Sequence, residues 1–598
     1  MKGADQYFLD LIGSSDTRFV IPIYQRHYSW MRNHCAQLFD DICTIGASDR
    51  PSHFSGSVVW VDAPRVPAGT TPLLLIDGQQ RTTTVTLLLL ALAGYAREHN
   101  GVSANGSPLE FRFEKILNNY VIDPYADGED RYRLTLSDND DATLKYEIEK
   151  ISGSTSLPPP EKPSLRIQEN LAYLRDRVNN FHDQNIIWSG LKRLQIISVR
   201  LDPPDNPQLV FESMNSTGKS LTASDLIRNF ILMGLPLDEQ KRLYTRYWRP
   251  MEKLFRNDEE KFNSFMRNYL TIFFALQPKI SDKDYGFVKT DEIYARFKQM
   301  FLLSSDLSTE LLMQKLIEAA ELYTNLVFAY LSAGTEKDPP VQLGLKHLCT
   351  LDYTVDEPVV LQLLLARKHG MISTEALANS LNMIESYLVR RVIAGYATNA
   401  LNKHFISLLK KIEALSEKAK NDENLDFARA FAETLIAEPN SPRAFPLDDE
   451  VRSTLQTLRF YTKQKAGYIL LRLENAYHPK TPFSPDIFRD KTATIEHILP
   501  QQPYGVPEWE EILGEDPDET LQQWLHNIGN LTLTGYNSEL QNGSFEQKKE
   551  RMIGGYEHDR FSLSSDIIKL DKWTIKSIQD RCELLTNRIL EVWPYPSL

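Results

Sequence analysis

The sequence contains little cysteine. Its four cysteines, among 598 residues, are Cys35, Cys43, Cys349 and Cys582, and no two of them form a CxxC pair. This spacing indicates neither a disulfide framework nor a cysteine zinc site, and it suits a reducing compartment.

Positive charge is also in short supply. The chain has 67 lysines and arginines against 80 aspartates and glutamates, which gives a formal net charge of −13. This balance argues against a protein that coats nucleic acid through a uniformly basic surface, because the chain as a whole repels phosphate. Any contact with nucleic acid must come from a few placed cations.

Long apolar runs are absent as well. No stretch reaches the roughly 18 uncharged apolar residues of a membrane span. The first eleven residues carry Asp5 and Asp10 and no apolar signal region. We therefore expect a cytoplasmic protein without a membrane partner.

What the sequence does contain is ordinary globular material, with 42% hydrophobic and 25% charged residues. The changing pattern of apolar and polar residues along the chain predicts three domains and a multidomain α+β fold class. Residues 1–235 form a mixed α/β domain, residues 236–445 an all-α domain of long amphipathic helices, and residues 446–598 a second mixed domain.

Short apolar runs at 54–61, 73–76 and 194–201 predict strands in the first domain, with helices after the second and third. The acidic segment 123–141 and the Ser- and Pro-rich segment 152–164 have the composition of surface connections. We expect neither to lie in a core.

The sharpest chemical signal is TIEHILPQ from Thr494, followed about thirty residues later by HNIGNLTLTGYNSELQN. A histidine ends an apolar strand, a proline stops that strand, and two asparagines follow on a turn-rich segment. This layout resembles the ββα-metal site of HNH nucleases. The resemblance rests on Glu496, His497, Pro500, Asn530 and Asn537.

Phosphodiester hydrolysis needs a water activated near neutral pH, and an imidazole with an ordinary pKa of about 6.5 suits that task. His497 is therefore the predicted base, with His526 ranked second. A divalent ion such as Mg²⁺ is needed against the leaving oxygen, and Glu496 and Asn537 are its predicted ligands. Asn530 is expected to orient the imidazole through a side-chain or backbone hydrogen bond.

Adjacent residues of a regular strand face opposite sides, so Glu496 and His497 can serve one phosphate only if the strand twists or bulges. The following run FEQKKERM is expected to supply positive charge near phosphate through Lys548, Lys549 and Arg551. The alternative is that His497 caps a core strand and the asparagines only form turns.

A second constellation is LLLIDGQQRTTT from Leu73, which runs into an apolar helix. A strand, an Asp-Gly pair and a helix start bring backbone N–H groups and the positive end of the helix dipole together, which favours an anion. Arg81 adds a forked cation, while the glutamines can orient phosphate or water. The predicted site comprises Asp77, Gly78, Gln79, Gln80 and Arg81. A capped structural turn is the alternative.

Upstream lies IPIYQRHYSW, from Ile21 to Trp30. Tyr24, Gln25, Arg26 and Tyr28 predict a polar and aromatic surface that stacks on bases or reads a modified group. The alternatives are an edge strand with aromatic core anchors, or residues that line the nucleotide pocket itself.

Downstream, FESMNSTGKSLTASDLIRNF from Phe211 contains a Gly-Lys-Ser fragment, but a Walker A loop demands glycine where Ser213 stands, so we reject a P-loop. Thr222 and Asp225 predict a capping box that opens an amphipathic helix. The candidate site residues of this stretch are Asn215, Lys219, Asp225 and Arg228.

Together, the three N-terminal stretches resemble the N-terminal domain of the GmrSD family of type IV restriction enzymes, and the HNH segment resembles the nuclease half of that family. The stretch SYLVRRVIAGYATNALNK from Ser386 fits the helical region between them. The resemblance covers most of the chain in its fused form. It implies a ParB- or sulfiredoxin-like nucleotide-binding domain, a helical domain and an HNH domain.

The resemblance also implies a bacterial anti-phage enzyme that recognises modified double-stranded DNA, binds or hydrolyses a nucleoside triphosphate, and cuts DNA with Mg²⁺ or another divalent cation. Related enzymes act on glycosylated hydroxymethylcytosine or phosphorothioate DNA. A homodimer is a further expectation. The alternatives are a nucleotide-binding sensor with an inactive HNH domain and an RNA-directed nuclease. If residues 24–28 do not read DNA, Arg390 and Arg391 are the next candidates.

Overall fold

The structure is a computed structural model that describes residues 2–14, 18–63, 72–153, 157–202, 205, 207–215, 222–256, 258–277, 287–304, 306–330, 336–422, 424–436, 441–463, 465–478, 480–535, 542–553 and 561–596. By compactness the chain divides into two units. The first comprises Met1–Lys253 and Leu307–Gln314, and the second Leu254–Asp306 and Lys315–Leu598. The three-domain division stays a prediction.

The first unit contains a mixed sheet of six strands. These are β1 (Lys2–Tyr7), β2 (Phe19–Val20), β3 (His53–Asp62), β4 (Leu73–Asp77), β5 (Leu134–Thr135) and β6 (Leu194–Leu201). Their order is β1-β6-β3-β4-β2-β5. The outer pair β1–β6 and the central pair β3–β4 are antiparallel, and the other three pairs are parallel. The three strands predicted from the sequence are confirmed as β3, β4 and β6.

Helices cover this sheet and extend beyond it. They are α1 (Phe8–Ile12), α2 (Arg32–Gly46), α3 (Gln79–Glu98), α4 (Phe113–Ile116), α5 (Asp138–Ser152), α6 (Leu165–Asn179), α7 (Gln184–Lys192), α8 (Pro207–Asn215), α9 (Ala223–Leu232), α10 (Leu237–Leu243) and α11 (Arg249–Leu254).

Helix α3 is buried on nearly all sides from Thr82 to Ala93. Its threonines are tolerated there because their hydroxyls donate to backbone carbonyls one turn earlier, for example Thr82 to Gly78 at 3.0 Å and Thr84 to Gln80 at 2.8 Å. A helix apolar on every face must lie inside the fold, so α3 forms the centre of the main core and fixes the turn that precedes it.

The acidic segment 123–141 contributes to this core, so the expectation that it lies outside is wrong. Tyr132, Leu134 and Leu136 are buried, and β5 within this segment pairs with β2. The physical reason is the alternation of these three residues, which turns one face of a short extended segment inward.

The second unit begins with long helices, which agrees with the predicted all-α texture. They are α12 (Glu259–Leu276), α13 (Ile293–Leu303), α14 (Thr309–Val327), α15 (Pro339–Leu351), α16 (Glu357–Lys368), α17 (Thr374–Ile393), α18 (Leu401–Asn421) and α19 (Phe427–Ile436). Helix α14 starts in the first unit. Among the described residues, no helix has the length and apolar character needed to cross a membrane.

The rest of the second unit combines helices with a two-stranded sheet, β7 (Thr494–His497) and β8 (Leu531–Thr534). Its helices are α20 (Asp448–Thr457), α21 (Ala466–Tyr477), α22 (Asp486–Arg489), α23 (Pro507–Leu513), α24 (Pro517–Trp524), α25 (Phe545–Ile553) and α26 (Ile575–Val592). A separate core around Trp509, Phe545 and Trp573 packs next to these strands.

Candidate functional site

Two of the predicted nuclease residues, Glu496 and His497, lie on β7, which forms an antiparallel pair with β8. Glu496 is opposite Thr532 and His497 is opposite Leu531, in an unbroken register. Within these described strands there is no bulge, so the bulge suggested for Glu496 is not observed. Each of the two side chains is 4% exposed, and each has its own set of partners.

Asn530 ends a 3₁₀ turn, Ile528–Asn530, that leads directly into β8. Its Oδ1 accepts from the backbone N–H of Leu499 at 2.7 Å, and its Nδ2 donates to the carbonyls of Leu499 at 3.0 Å and Leu525 at 2.9 Å. The side chain is completely buried. Asn530 thereby fixes the backbone two residues beyond His497 and has no described hydrogen bond to the imidazole itself.

The Glu496 carboxylate is paired with a buried lysine from α25. Lys548 Nζ donates to Glu496 Oε1 at 2.6 Å and to the backbone carbonyl of His497 at 2.7 Å. Burial raises the pKa of Glu496 and lowers the pKa of Lys548, and their mutual attraction opposes both shifts. Lys548 thus holds the end of β7 at both the side chain and the backbone.

This pairing corrects the role expected for the lysines of α25. Lys548 is 1% exposed, and Lys549 Nζ donates to the carbonyl of Leu570 at 2.8 Å. The Lys548 ammonium serves the interior of the fold, whereas Lys549 is half-buried and donates to a backbone carbonyl. The side chain of Arg551 lies outside the described residues.

His497 is part of a ring cluster with His526 and Tyr461. His497 Nε2 lies 3.1 Å from His526 Nδ1, and the amide of Gln501 lies 3.3 Å from His497 Nδ1. The Tyr461 ring contacts both imidazoles, with centroid distances of 4.6 Å to His497 and 5.4 Å to His526. The two candidate bases of the sequence are therefore direct neighbours.

The electrostatics of this cluster keep both imidazoles neutral. Burial, together with His526 and Lys548, lowers the pKa of His497 to about 3. Burial and nearby Arg459 also lower the pKa of His526. At neutral pH both rings hold a single proton each, so a lone pair is present on each ring.

Tyr461 and Gln501 were missed by the sequence reasoning. Gln501 belongs to the quoted TIEHILPQ segment, and its place four residues after His497 was the available signal. Tyr461 lies 36 positions before His497 on a 3₁₀ turn, Phe460–Thr462, and no local pattern connects the two.

A metal ion would find one hard oxygen ligand among the described residues of this site, the carboxylate of Glu496. Asn537, the second predicted ligand, lies outside the described residues. Within the described part of the chain, no three His, Cys, Asp or Glu side chains gather into a metal-binding group. The carboxylate fits a divalent ion in chemistry, but Lys548 already neutralises its charge.

In the first unit, β4 passes into α3 through Gly78, whose φ of +91° belongs to the left-handed region. Arg81 Nη1 donates to the carbonyl of Ser57 at 3.0 Å, across the neighbouring strand β3. Burial raises the pKa of Asp77 and lowers the pKa of Arg81, and each partner opposes the shift of the other. The strand, turn and helix start thus have the predicted arrangement.

The two glutamines of the turn have different surroundings. Gln80 Oε1 accepts from the backbone N–H of Ser29 at 2.8 Å and of Trp30 at 3.2 Å, and its Nε2 donates to the carbonyl of His27 at 3.2 Å. Gln79 Oε1 is buried and has no hydrogen-bond partner among the described residues. Gln80 therefore connects residues 27–30 to the turn by hydrogen bonds. The Gln79 side-chain oxygen accepts no hydrogen bond from any described residue.

Residues 24–28 lie against this turn, and most of them are interior. Gln25 Nε2 donates to the carbonyl of Ile76 at 3.2 Å, and the Tyr28 hydroxyl lies 2.7 Å from Thr84 Oγ1. Tyr24, Gln25 and Tyr28 are all buried, so the expected open stacking surface is not observed for them. Arg26 is half-buried and has no hydrogen bond or ion pair to any described residue.

The capping box is confirmed at the start of α9, where Thr222 Oγ1 accepts from the Asp225 N–H at 3.2 Å. Asp225 also binds Arg228 Nη2 at 2.6 Å, and Arg228 Nε donates to the carbonyl of Tyr24 at 2.7 Å. Asp225 and Arg228 are thereby joined to the 24–28 segment. Asn215 ends α8 with its side chain outside the described residues, and Lys219 lies outside them entirely.

Arg390 and Arg391, the reserve candidates for DNA recognition, are structural. Arg390 donates to the carbonyls of Pro446 and Trp593, both at 2.9 Å, and is fully buried. One turn earlier on α17, the Glu385 carboxylate accepts from Trp593 Nε1 at 2.9 Å. These contacts tie α17 to the segment that follows α26, so neither arginine faces a ligand.

Comparison with known families gives two matches. The N-terminal domain of GmrSD restriction endonuclease matches residues 8–232, and the C-terminal domain of GmrSD restriction endonucleases matches residues 445–588. No curated protein matches the chain. The two matched ranges span more than half of the sequence and contain, respectively, the β4–α3 turn and the β7–β8 pair. The chain therefore belongs to the GmrSD family of type IV restriction endonucleases, phage-defence nucleases, and it carries both the N-terminal and the C-terminal domain of that family.

Proposed function

We propose that this protein is an NTP-regulated endonuclease that cleaves modified DNA through an HNH site. In this proposal the mixed sheet belongs to a ParB- or sulfiredoxin-like nucleotide domain, and β7, β8 and α25 form the ββα-metal unit. The observation that carries the proposal is the neutral His497 imidazole at the end of β7, where Asn530 fixes the backbone.

His497 acts as the general base in this reaction. The Gln501 amide donates to Nδ1, so the neutral ring carries its proton on Nε2 and donates it to His526. The lone pair on Nδ1 then accepts a proton from water when Gln501 yields that position. A phosphate anion beside the ring raises the imidazole pKa from its lowered value, which brings the base toward its effective range.

A divalent cation would be held by Glu496 and Asn537. When bound, such an ion supplies positive charge against the leaving oxygen. The Glu496 carboxylate must exchange at least part of its interaction with Lys548 for the ion, so we expect metal affinity to depend on this lysine. Lys548 keeps its second hydrogen bond, to the His497 carbonyl, and continues to fix the strand end.

The nucleotide is assigned to the β4–α3 turn. Asp77, Gly78, Gln79 and Arg81 supply a carboxylate, backbone N–H groups, an amide oxygen without a described partner and a forked cation at the start of a long helix. The Asp225–Arg228 pair supports the same place through the carbonyl of Tyr24. Sensing of the DNA modification by residues 24–28 stays a prediction, with Arg26 as the side chain that is free to act directly.

The test is a cleavage assay on modified phage DNA, unmodified DNA and RNA, with Mg²⁺ or with EDTA. We expect metal-dependent cutting of modified DNA by the wild type. His497→Ala should reduce the rate by about 10² to 10⁴, the usual worth of a general base. His369→Ala, a surface histidine of the same compact unit, should cut normally. Normal cutting by a folded His497→Ala protein would refute the assignment.

A second candidate function is a nucleotide-binding DNA sensor whose nuclease domain does not cut. The buried Glu496–Lys548 pair favours it, because a neutralised carboxylate is a poor metal ligand. The same assay separates the two functions, since the sensor would bind modified DNA without cleaving any of the three substrates. Cutting of RNA alone would indicate the RNA-directed nuclease.

A further inference from the structure

A cavity of about 350 Å³ lies in the helical part of the second compact unit. None of its lining residues belongs to β7, β8 or the β4–α3 turn. Arg267 comes from α12 and Asn402 from α18, while the remaining walls come from the segments before α13 and α16. The lining residues are Arg267, Phe287, Val288, Lys289, Thr290, Thr354, Val355 and Asn402.

Arg267 is the unusual member of this lining. Its side chain is 21% exposed, its Nε is buried, and its guanidinium makes no hydrogen bond to any described group. The nearest carboxylate, Glu357, lies 3.7 Å from Nη2 and is engaged by Asn268 Nδ2 at 2.6 Å and the Tyr323 hydroxyl at 2.8 Å. Arg267 therefore has one ion pair, to Glu357, and its Nη groups donate no hydrogen bond to a described residue, which leaves them available to a ligand in the cavity.

The other polar lining groups complete an anion-binding set. Lys289 brings a second cation, 73% exposed and 3.4 Å from Glu292. Thr290, Thr354 and Asn402 add hydroxyl and amide donors. Among the described lining residues there is no aspartate or glutamate.

Acidic residues directly follow the lining at two places, Asp291 after Thr290 and Asp356 after Val355. Asp356 follows Val355, is fully buried, and has one carboxylate oxygen without a hydrogen-bond partner among the described residues. Burial raises the pKa of Asp356 well above its usual range, which favours the neutral acid. Among the lining residues themselves, the charge is carried by the two cations, Arg267 and Lys289.

We propose that this cavity binds a phosphate group, and that the phosphate belongs to the backbone of the DNA substrate. A planar guanidinium beside an ammonium and several neutral donors is the chemistry that recognises phosphate. The DNA assignment rests on the proposed nuclease function. DNA binding by the second unit needs cations other than Lys548 and Lys549, because both of these are engaged internally and the whole chain carries a net charge of −13.

The experiment measures binding of a DNA duplex by fluorescence anisotropy over a series of KCl concentrations. The full chain carries His497→Ala, so that the duplex is not cut. In this background Arg267→Gln is expected to weaken binding about tenfold. The dependence of log affinity on log salt should fall in magnitude by about 0.9, the value for one phosphate contact. Lys418→Gln, an exposed lysine of α18, is the matched control and should change neither quantity as much.

Lys289→Glu is the second variant, because an exposed side chain can change its charge without loss of the fold. We expect it to weaken DNA binding at least as much as Arg267→Gln. The proposal is overturned if both variants bind DNA with the affinity and salt dependence of Lys418→Gln.

Calorimetric titration of the same proteins with inorganic phosphate separates the sources of the phosphate. Parallel loss of phosphate and DNA binding supports the proposal in full. Loss of phosphate binding with unchanged DNA binding overturns the assignment to DNA and indicates a free nucleotide or phosphate. If the His497→Ala parent binds no DNA at all, the proposed nuclease function fails, and the phosphate titration still reports on the cavity.

Discussion

A single buried lysine neutralises the charge of the Glu496 carboxylate. Lys548→Met leaves Glu496 as an unpaired buried acid and removes the hydrogen bond to the His497 carbonyl. Breaking a buried pair in this way destabilises a protein by about 3 to 5 kcal/mol. We expect a fall of that order in the free energy of unfolding of this variant, measured by urea denaturation, together with loss of cleavage.

The double variant Glu496→Gln with Lys548→Met tests whether the loss of stability comes from the unpaired charge. It removes both charges at once, so most of the lost stability should return while cleavage stays absent. Lys569→Met, an exposed lysine of the same unit, is the control for charge alone. Equal stabilities of Lys548→Met and Lys569→Met would show that the buried pair contributes nothing.

Arg81 is the second residue whose removal gives a sharp outcome. It is the cation at the start of α3, and its guanidinium also bonds to the Ser57 carbonyl. Arg81→Ala should weaken binding of a nucleoside triphosphate at least tenfold by calorimetry, since hydrogen bonds to charged groups contribute about 1.5 to 3 kcal/mol. Arg112→Ala, an exposed arginine of the first unit, should bind normally. An unchanged affinity in Arg81→Ala would show that the DGQQR segment, residues 77–81, is only a structural turn.

At the scale of elements, α18 carries a histidine that makes stability depend on pH. His404 is buried, and neither ring nitrogen has a hydrogen-bond partner among the described residues. Burial, helped by neighbouring cations, lowers the pKa of His404 to about 4. The unfolded chain takes up this proton below pH 6.5 while the folded chain does not, so stability falls as the pH drops from 6.5 to 4.

His404→Leu should remove this dependence. For the wild type we expect His404 to cost about 2 kcal/mol of unfolding free energy between pH 7.5 and pH 5, and the variant should lose that much less. Urea denaturation at the two pH values measures the difference. His369→Leu, a half-exposed histidine, should behave as the wild type. A variant with the full wild-type loss would mean that His404 is protonated in the fold.

Elements with a strong periodic signal could be predicted from the sequence, and single inward-facing residues could not. The apolar runs gave β3, β4, β6 and α3, and Thr222 with Asp225 gave the capping box of α9. The core role of segment 123–141 was hidden because acidic residues surround its three alternating apolar positions. The sequence predicts Lys548 as a positive charge near phosphate, because composition does not tell which lysine of a helix faces a buried carboxylate. In the structure Lys548 is the one that pairs with Glu496.

At the scale of the whole molecule, recognition of DNA must depend on a few cations, and Arg26 is one without a described partner. It lies next to the β4–α3 turn in a segment where Tyr24, Gln25 and Tyr28 are buried. We expect Arg26→Gln to lower the ratio of cleavage on modified over unmodified DNA by about tenfold, which corresponds to one lost charged hydrogen bond. Arg32→Gln, an exposed arginine close by in sequence, is the control.

An unchanged ratio of cleavage on modified over unmodified DNA in Arg26→Gln would show that residues 24–28 do not recognise the modification. Arg390 and Arg391 would not be the alternative recognition residues, because both donate hydrogen bonds to backbone carbonyls inside the second unit. The next variants would then be at Arg267 and Lys289, which line the cavity that we propose to bind phosphate.

The contact between Glu385 and Trp593 also has a consequence in time. The two residues are separated by 208 positions, and a ribosome adds about 5 to 20 residues per second. Trp593 is therefore made roughly 10 to 40 s after Glu385. During this interval α17 lacks a partner of its buried carboxylate, so the core around this helix is completed only after both strands of the nuclease pair have been synthesised. A nascent chain halted within the interval therefore has the His347 partner of this carboxylate but lacks Trp593, and the last contact around α17 forms only when synthesis is almost finished.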